Sequence, residues 1–305
     1  MVEKISLMNL VTKKEIVIDK LESPNFILDY IDWGQVSSSR HTFKYTNQVG
    51  EIVVSISLET RNIDLSAYIL AETEGEMSSL KKYMNNFVNP LNMLRINYNG
   101  YVLDFLPDTS IKYAGEEKEN NEILCKFKIS GLAPDPLFKE EEKNQIKAAT
   151  TTGKFHFPLA IPNGYGSAHL KPPKGIIFGL RSPASIVAIE NKGAVDTGII
   201  VSFRAKSQVV NPQILDIETQ KLLKINKTLE AGEAVEINTS YGEKEVKGYL
   251  NGEEAINYFK YIDIDSEWLQ IKQGTNLLRY QADKGVENLE VTIYFENKFL
   301  EVQEC

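Results

Sequence analysis

Alternation of apolar and polar residues constrains this chain more than any other feature of its sequence. In the run from Glu51 to Leu58, apolar residues occupy positions 52, 54, 56 and 58, opposite Glu51, Ser55 and Ser57. This two-residue period is that of a β-strand with one buried face. The same period recurs at residues 63–69, 123–129, 199–205, 246–250, 278–282 and 289–295. The sequence therefore predicts a mainly β fold.

One segment has a helical period instead. From Glu76 to Val88, apolar residues return every three or four positions, which predicts an amphipathic helix whose apolar face covers the sheet. The helix is expected to stop at Asn89-Pro90, because a proline disfavours helical backbone in the residue before it. A hairpin is predicted at Asn99-Gly100, since this dipeptide tolerates the positive φ angles of a tight turn.

A chain of 305 residues is expected to form two domains. The composition changes over residues 133–153, where prolines, five consecutive charges and a threonine-rich stretch follow one another. We therefore predict an N-terminal β domain with one helix over residues 1–132 and a hydrated linker over 133–153. Short strands with regular turns predict an antiparallel β-sandwich over 154–305.

Charge and composition exclude several classes of function. The formal net charge of −8 opposes non-specific binding to nucleic acid or to an anionic membrane. The first residues lack the apolar stretch of a signal peptide, and no later run is long enough to span a membrane, so synthesis in a cytoplasm is expected. Two cysteines supply no disulfide framework: Cys125 is predicted to be a buried apolar residue and Cys305 an exposed thiol.

Residues suited to catalysis or metal binding do not gather into a motif. His41, His156 and His169 are scattered, and the loop Gly164–His169 lacks the spacing of a dinucleotide-binding site. The carboxylates of Asp263 and Asp265 fall on one side of a predicted strand, which would suit calcium or a glycoside-cleaving pair, but a solvated strand face is the favoured interpretation. We predict no catalytic residues, no cofactor and no metal.

Aromatic residues in loops leave a second functional class open. A β-sandwich can present a Tyr or Trp ring to a sugar, and Trp33, Trp268, Tyr165 and Tyr241 are the candidates. Trp268 lies in an apolar run and is expected in the core. Tyr165 and Tyr241 remain as candidate sugar contacts of a stand-alone carbohydrate-binding protein. A glycoside hydrolase is the least favoured hypothesis.

Several short motifs, in order along nearly the whole chain, resemble the distal tail protein of siphophages, a family also found in prophages and phage-tail-like bacteriocins. Those of the first half and the boundary are Leu58-Glu59-Thr60-Arg61, Val88-Asn89-Pro90-Leu91 and Ala133-Pro134-Asp135-Pro136-Leu137-Phe138. Those of the second half are Phe155-His156-Phe157-Pro158-Leu159, Val210-Asn211-Pro212, Leu229 to Glu233, and Trp268-Leu269 with Gly274 and Asn276. The match is closer in the first half than in the second.

The resemblance implies a structural role in a virion. In the family, the first domain is a β-barrel or sandwich with one helix that closes into a ring, commonly a hexamer, and the second is a galectin-like sandwich. The ring is the baseplate hub that joins the tail tube protein to the tail-associated fibre or lysin protein, and it sometimes carries receptor-binding proteins. The resemblance implies neither a cofactor nor enzymatic activity. It places the protein at the virion tail tip after synthesis in the host cytoplasm.

Overall fold

The computed structural model describes residues 4–20, 23–47, 49–115, 120–148, 150–153, 179–182, 186–253 and 255–302. Two compact units divide the chain. Unit 1 contains Met1–Glu142 together with Lys298–Cys305, and unit 2 contains Lys143–Asn297.

The described part of unit 1 begins with eleven strands and a helix. Its elements are β1 (Lys4–Asn9), β2 (Glu15–Asp19), β3 (Phe26–Asp32), β4 (Ser38–Phe43), β5 (Ile52–Leu58), β6 (Arg61–Leu70), α1 (Glu74–Phe87), β7 (Leu94–Tyr98), β8 (Tyr101–Pro107), β9 (Lys112–Tyr113), β10 (Leu124–Ala133) and β11 (Phe138–Glu140).

The described residues of unit 2 follow with fourteen strands, after which the chain returns to unit 1 with a final strand. The strands of unit 2 are β12 (Asn144–Lys147), β13 (Thr150–Gly153), β14 (Gly179–Ser182), β15 (Ile186–Asn191), β16 (Thr197–Ala205), β17 (Val209–Asp216), β18 (Leu222–Lys224), β19 (Thr228–Leu229), β20 (Glu233–Asn238), β21 (Glu245–Leu250), β22 (Ile256–Asn257), β23 (Gln270–Ile271), β24 (Gly274–Lys284) and β25 (Leu289–Phe295). The returning strand is β26 (Lys298–Phe299).

The core of unit 1 lies inside a barrel-like sheet. Strands pair in the order β8-β7-β1-β2-β3-β6-β10, and β10 pairs back with β8 through Gly131 and Leu132. A side chain at Gly131 would bring its Cβ within 2.5 Å of the Leu106 carbonyl oxygen, so this close strand contact requires glycine. Alternate residues of the strands fill the interior with apolar side chains, among them Leu65 and Phe105. Closure protects most strand edges from unwanted pairing.

Helix α1 confirms the predicted helical segment and its end. Thr73 caps the first turn, where its Oγ1 accepts a hydrogen bond from the Glu76 backbone N–H at 3.2 Å. Met77, Met84 and Phe87 of this helix are buried in the unit 1 core, as expected for a helix covering its own sheet. Asn9 Nδ2 donates to the Phe87 carbonyl at 2.9 Å. The last turn thus obtains a partner within the core.

The predicted hairpin at Asn99-Gly100 is also confirmed. Strands β7 and β8 pair antiparallel with Tyr98 opposite Tyr101. Asn99 and Gly100 have φ angles of 50° and 79°, as a two-residue turn between right-twisted strands requires.

Unit 2 is a sandwich of two antiparallel sheets that share one core. The first sheet has the strand order β12-β25-β16-β20-β21-β22, and the second has the order β15-β24-β17-β18. Inward residues of both, including Val201 and Phe203 from the first and Ile189, Ile214 and Tyr280 from the second, form a single buried cluster. The mainly β fold class predicted from the alternation is confirmed.

The boundary between the units falls elsewhere than the sequence predicted. Residues 133–153 do not form a linker along their described length, since Phe138 is buried in the unit 1 core and β12 pairs with β25. The last strand, β26, pairs with β11, so residues after Asn297 belong with unit 1 rather than with the sandwich. The prolines and charges typical of a linker alternate here with apolar residues such as Phe138, which are buried in unit 1.

Candidate functional site

Strands β4 and β5 form a hairpin that stands apart from both main sheets. They pair antiparallel with each other from Ser38↔Leu58 to Phe43↔Ile52, with one irregularity at His41/Thr42, and neither pairs with another strand of the described chain. Every residue of β5 is exposed to solvent. We call these two strands the β4–β5 hairpin.

The hairpin exposes large apolar side chains on both of its faces. Val53 pairs with Thr42, and the next pair, Phe43 with Ile52, lies on the opposite face, because successive side chains alternate along a strand. The exposed apolar residues of the hairpin and its tip are Phe43 (52%), Tyr45 (56%), Ile52 (46%), Val53 (49%), Val54 (68%), Ile56 (63%) and Leu58 (41%). A two-stranded hairpin alone is marginally stable in water, and a contiguous apolar patch typically marks an interaction surface. The hairpin is therefore the candidate functional site.

The root of the hairpin is fixed by polar contacts across its two arms. The Glu59 backbone N–H donates to the Ser37 carbonyl at 2.9 Å, and the Ser37 hydroxyl donates to the Glu59 carboxylate at 2.5 Å. Gly34 has a φ of 63°, and a Cβ at this position would lie 2.1 Å from the Asn62 carbonyl oxygen. A glycine is needed where the chain leaves the barrel for the hairpin.

Arg61, which ends the motif Leu58–Arg61, is fully buried at the root. Its guanidinium lies 4.8 Å from the centre of the Phe138 ring, and its Nη2 donates to the Leu300 carbonyl oxygen. Glu301 lies 3.6 Å from the same nitrogen. Burial lowers the pKa of Arg61 from its ordinary value, and the Glu301 carboxylate acts in the opposite direction. Within the described chain, Nε and Nη1 have no hydrogen-bond partner, so the polar contacts of Arg61 are with the end of the chain.

Residues Lys298–Val302 form a C-terminal strap across this part of unit 1. The strap pairs with β11 through Phe138↔Phe299, and the Phe299 ring meets the Tyr101 ring edge-on at 5.5 Å. Asp135, from the motif Pro134-Asp135-Pro136, accepts from Lys298 Nζ and from Lys139 Nζ at 3.0 Å each. Burial favours the neutral carboxyl of Asp135, but the two ammonium groups outweigh it and lower its pKa. Two of the family-like motifs thus meet at the strap.

Both motifs are evident in the sequence, but the strap that joins them is not. A two-residue strand after the last β run has no period of its own. The contacting residues also lie more than 150 positions apart, as for Asp135 and Lys298. The sole available signal was the apolar pair Phe299-Leu300 beyond a strand that already appeared complete.

Two further described motifs contain residues that bend the backbone. Asn89 follows α1, and its Oδ1 accepts from the Leu91 backbone N–H at 3.0 Å, which turns the chain away from the helix. Asn211 in β17 has a φ of 51°, and its side-chain amide donates to Asp283 at 2.8 Å. Pro212 follows it, and its carbonyl accepts from Ile225 at 3.0 Å. These residues shape the backbone of their units.

The two candidate sugar contacts have different outcomes. Tyr165 lies outside the described residues, as do His156, His169 and the motif Phe155–Leu159. Tyr241 is 75% exposed in a turn of unit 2. The Lys244 ammonium lies 5.7 Å from its ring centre and 5.2 Å from that of Trp268. Trp268 is half-buried and packs against the unit 2 core.

The candidate carboxylate pair, Asp263 and Asp265, does not have the predicted placement. Asp263 and Asp265 do not lie on a strand but in a turn, where Asp263 Oδ1 accepts from the Asp265 backbone N–H at 2.9 Å. Asp263 Oδ2 accepts from Asn226 at 2.7 Å. The described residues hold no group of three or more His, Cys, Asp or Glu placed to bind a metal ion. Cys125 is buried, as predicted, and Cys305 lies outside the described residues.

No helix in the described part of the chain has both the length and the apolarity to cross a membrane.

Comparison with known proteins gives one family and several related structures. Residues 192–299 match the family model described as siphovirus-type tail component, C-terminal domain. No curated protein matches the sequence. Among solved structures, the Dit protein (gp 19.1) of phage SPP1, described as a paradigm of the hub adsorption apparatus in phages that infect Gram-positive bacteria, has a TM-score of 0.63 at 12% identity, covering 97% of this chain and 99% of that one.

Two structures of the phage P2 baseplate in its activated conformation also match. The form with Ca has a TM-score of 0.54 at 13% identity, and the form with Sr has a TM-score of 0.54 at 14% identity. Both alignments cover 99% of this chain and 100% of the baseplate chain. The likeness extends over both units of the fold.

Proposed function

We propose that this chain, a distal tail or baseplate hub protein of the siphophage type, closes into a ring through its β4–β5 hairpin. A structural role at the tail tip follows from the family. We propose that the chain forms a ring, how many copies the ring contains, and which tail proteins it joins. The observation that carries it is a hairpin whose apolar residues are exposed on both faces.

A second copy of the chain is the occupant that we propose for the hairpin. In the proposed contact, the hairpin of one copy lies against the barrel of the next copy. The hairpin and the outside of the barrel are different surfaces, so this contact joins two unlike surfaces. Such a heterologous contact leaves each subunit with one hairpin to give and one surface to receive it, and repetition closes a ring when the rotation allows. Burying both faces of the hairpin in this way would remove its apolar side chains from water. Six copies are proposed, as the family resemblance implies.

The proposed ring joins the tail tube protein on one side to the tail-associated fibre or lysin protein on the other, with receptor-binding proteins as further partners. Neither nucleic acid nor membrane has a part in this role. Unit 2, a sandwich of two sheets, is proposed to offer surface to such partners. The stability of the assembly would come from the closed arrangement of the subunits, since each weak contact in a closed ring is reinforced by the others.

Sedimentation velocity on the purified full chain tests ring formation. We expect the wild type to form a species near six times the 34.5 kDa chain mass, and Ile56→Asp to remain a monomer because a carboxylate is costly to bury at an apolar contact. The matched control is Tyr241→Asp, which places the same charge at an exposed position of unit 2 and should still form the ring. A wild type that stays monomeric, both alone and with the tail tube protein, would contradict the proposal.

Joining of tail parts needs a separate experiment. We expect the wild-type ring to co-purify with the tail tube protein and with the tail-associated protein in one complex, whereas Ile56→Asp should lose that complex. Retention of both partners by a monomeric Ile56→Asp would show that joining does not depend on the ring.

The alternative function is binding of a carbohydrate. Of its two candidate sugar contacts, Tyr241 lies among the residues that the structure describes. The exposed ring of Tyr241 supports it, although the Lys244 ammonium already lies near that ring. Glycan-array binding by the wild type that is lost in Tyr241→Ala would favour this alternative, and equal signals from the two proteins would remove Tyr241 as a contact.

A further inference from the structure

A shallow depression of about 310 Å³ lies on the outer face of the first sheet of unit 2. Strands β12, β25 and β16 form it, and its lining residues are Gln145, Lys147, Ser202, Arg204, Glu290, Val291, Thr292 and Tyr294. The neighbours of these residues along the strands, such as Val201, Phe203 and Ile293, are buried in the core. The polar side chains therefore point away from the core, since residues alternate across a sheet. None of the lining residues belongs to the hairpin or the strap.

Charge in the depression runs against the charge of the whole chain. Lys147 and Arg204 line it beside one carboxylate, Glu290, in a protein whose formal net charge is −8. Glu290 lies directly opposite Arg204 in the strand register, where an ion pair between the two would be expected. The Glu290 carboxylate instead contacts the ammonium of Lys206 at 2.6 Å. The local carboxylate is thus already neutralised.

The guanidinium of Arg204 and the ammonium of Lys147 are left without an ion-pair or hydrogen-bond partner among the described residues. Arg204 carries several N–H donors in a planar fork that matches the oxygens of a phosphate group. Lys147 is opposite Thr292, which in turn is opposite Ser202, so two hydroxyl groups lie beside the unpaired cations. These four side chains supply donors from three adjacent strands.

Polar groups at the other end of the depression suit hydroxyls rather than charge. Gln145 Nε2 donates to the Tyr294 hydroxyl at 3.3 Å, and both side chains line the depression. Together they offer an amide and a phenol, which can both donate and accept. The volume is at the small end of the range of about 300–1,000 Å³ for ligand pockets, so it fits a ligand near the size of one phosphorylated sugar or polyol.

We propose that this depression binds a phosphate ester of a sugar or polyol. Arg204 and Lys147 receive the phosphate, with Ser202 and Thr292 donating to its remaining oxygens. Gln145 and Tyr294 bind the hydroxyls of the organic part. A neutral sugar would leave both cations unpaired, and inorganic phosphate would leave the hydroxyl-binding end unused. The proposal is independent of ring formation, because it concerns one sheet of unit 2.

Salt dependence and weak affinity are expected of such a site. Both cations are exposed to solvent, so their attraction for an anion is screened by dissolved ions. Binding should weaken when the NaCl concentration rises from about 0.05 M to about 0.5 M, because the Debye length shortens.

Titration of isotope-labelled full chain with glycerol 3-phosphate, followed by NMR, tests the proposal. Amide shifts confined to β12, β16 and β25 are expected. Arg204→Gln and Lys147→Gln should each weaken binding about tenfold, since each removes a charge-assisted hydrogen bond that is partly screened. Lys247→Gln is the matched control, because it makes the same charge change on β21 of the same sheet and should bind as the wild type does. Unchanged amide spectra elsewhere show that each variant is folded.

Titrations with other ligands show which chemical groups of glycerol 3-phosphate are recognised. Glycerol should not bind, and inorganic phosphate should bind more weakly than glycerol 3-phosphate. Equal affinity for the two phosphates would overturn the sugar or polyol part of the proposal. Equal weakening by Lys247→Gln, or binding that survives Arg204→Gln, would overturn the site. Binding of an acidic peptide without binding of either phosphate would replace it with a protein contact. Failure of this titration leaves ring formation untouched, since the two experiments use different residues.

Discussion

Strands β5 and β6 follow each other in the chain and have the same apolar period, yet their environments are opposite. In β6, Ile63, Leu65, Ala67 and Ile69 are at most 1% exposed. In β5, the apolar residues at alternate positions from Ile52 to Leu58 are between 41% and 68% exposed. The barrel of its own chain covers one strand, and nothing in the described chain covers the other. The same apolar period therefore occurs in a strand that the core covers and in a strand that is left exposed, so the period alone does not show that a strand is buried within its own unit.

The largest effect is expected for a truncation on the buried side of this comparison. Leu65→Ala should lower the free energy of unfolding of unit 1 by about 2–5 kcal/mol, because it leaves a cavity in a closed barrel. Urea unfolding followed by Trp33 fluorescence, in a Trp268→Phe background, reports on unit 1 alone, since these are the two tryptophans of the chain. A loss below about 1 kcal/mol would show that β6 is less tightly packed than its burial indicates.

The next largest loss of stability is expected for a substitution at Arg61, at the root of the hairpin. Arg61→Met should lower the stability of unit 1 by about 1–2 kcal/mol, because the charge-assisted hydrogen bond to Leu300 is lost while the cost of burying a guanidinium is also removed. Amide hydrogen exchange in the strap, Lys298–Val302, should become faster. Lys128→Met, which removes an exposed ion pair with Asp64, serves as the control. Unchanged exchange in the strap of Arg61→Met would mean that Arg61 does not hold it.

Acid should loosen the strap by a smaller amount. The folded-state pKa of Asp135 is lowered, so its stabilising effect is present above the ordinary value of 3.8 and is lost as the pH falls through the lower folded value. The protection factor of the strap, which compares its exchange with that of an unfolded chain at the same pH, should therefore be lower at about pH 3 than at neutral pH. Asp135→Asn should show less of this acid-induced change and should cost about 0.5–1 kcal/mol at neutral pH, because its ion pairs are half-buried and partly screened by solvent. An equal acid response in the two proteins would assign it to other carboxyl groups.

The smallest effect on monomer stability is expected on the exposed side of the comparison. Ile56→Ala removes a side chain that is 63% exposed, so the unfolding free energy of the dilute monomer should change by less than about 0.5 kcal/mol. The same Trp33 assay measures it. A loss as large as that of Leu65→Ala would show that the hairpin folds onto its own unit in solution.

The sequence predicted strands, turns and the helix well because these depend on local periods and caps. The Asn99-Gly100 hairpin and the end of α1 before Asn89-Pro90 need contacts within a few residues. The unit boundary was misplaced because the strap and residues 133–142 are ordered by contacts that no local pattern contains, as between Asp135 and Lys298. The candidate site shows the same limit, since alternation identifies β5 as a strand but does not give the molecule that covers it.

Hydrogen exchange on β5 and β6 in the assembled wild type and in monomeric Ile56→Asp tests whether a second copy of the chain covers the β4–β5 hairpin. We expect amides of β6 to be protected in both proteins, whereas those of β4 and β5 should gain protection only in the wild-type assembly. Equal protection of the hairpin in the two proteins, or fast exchange of the hairpin within the assembled ring, would contradict this expectation.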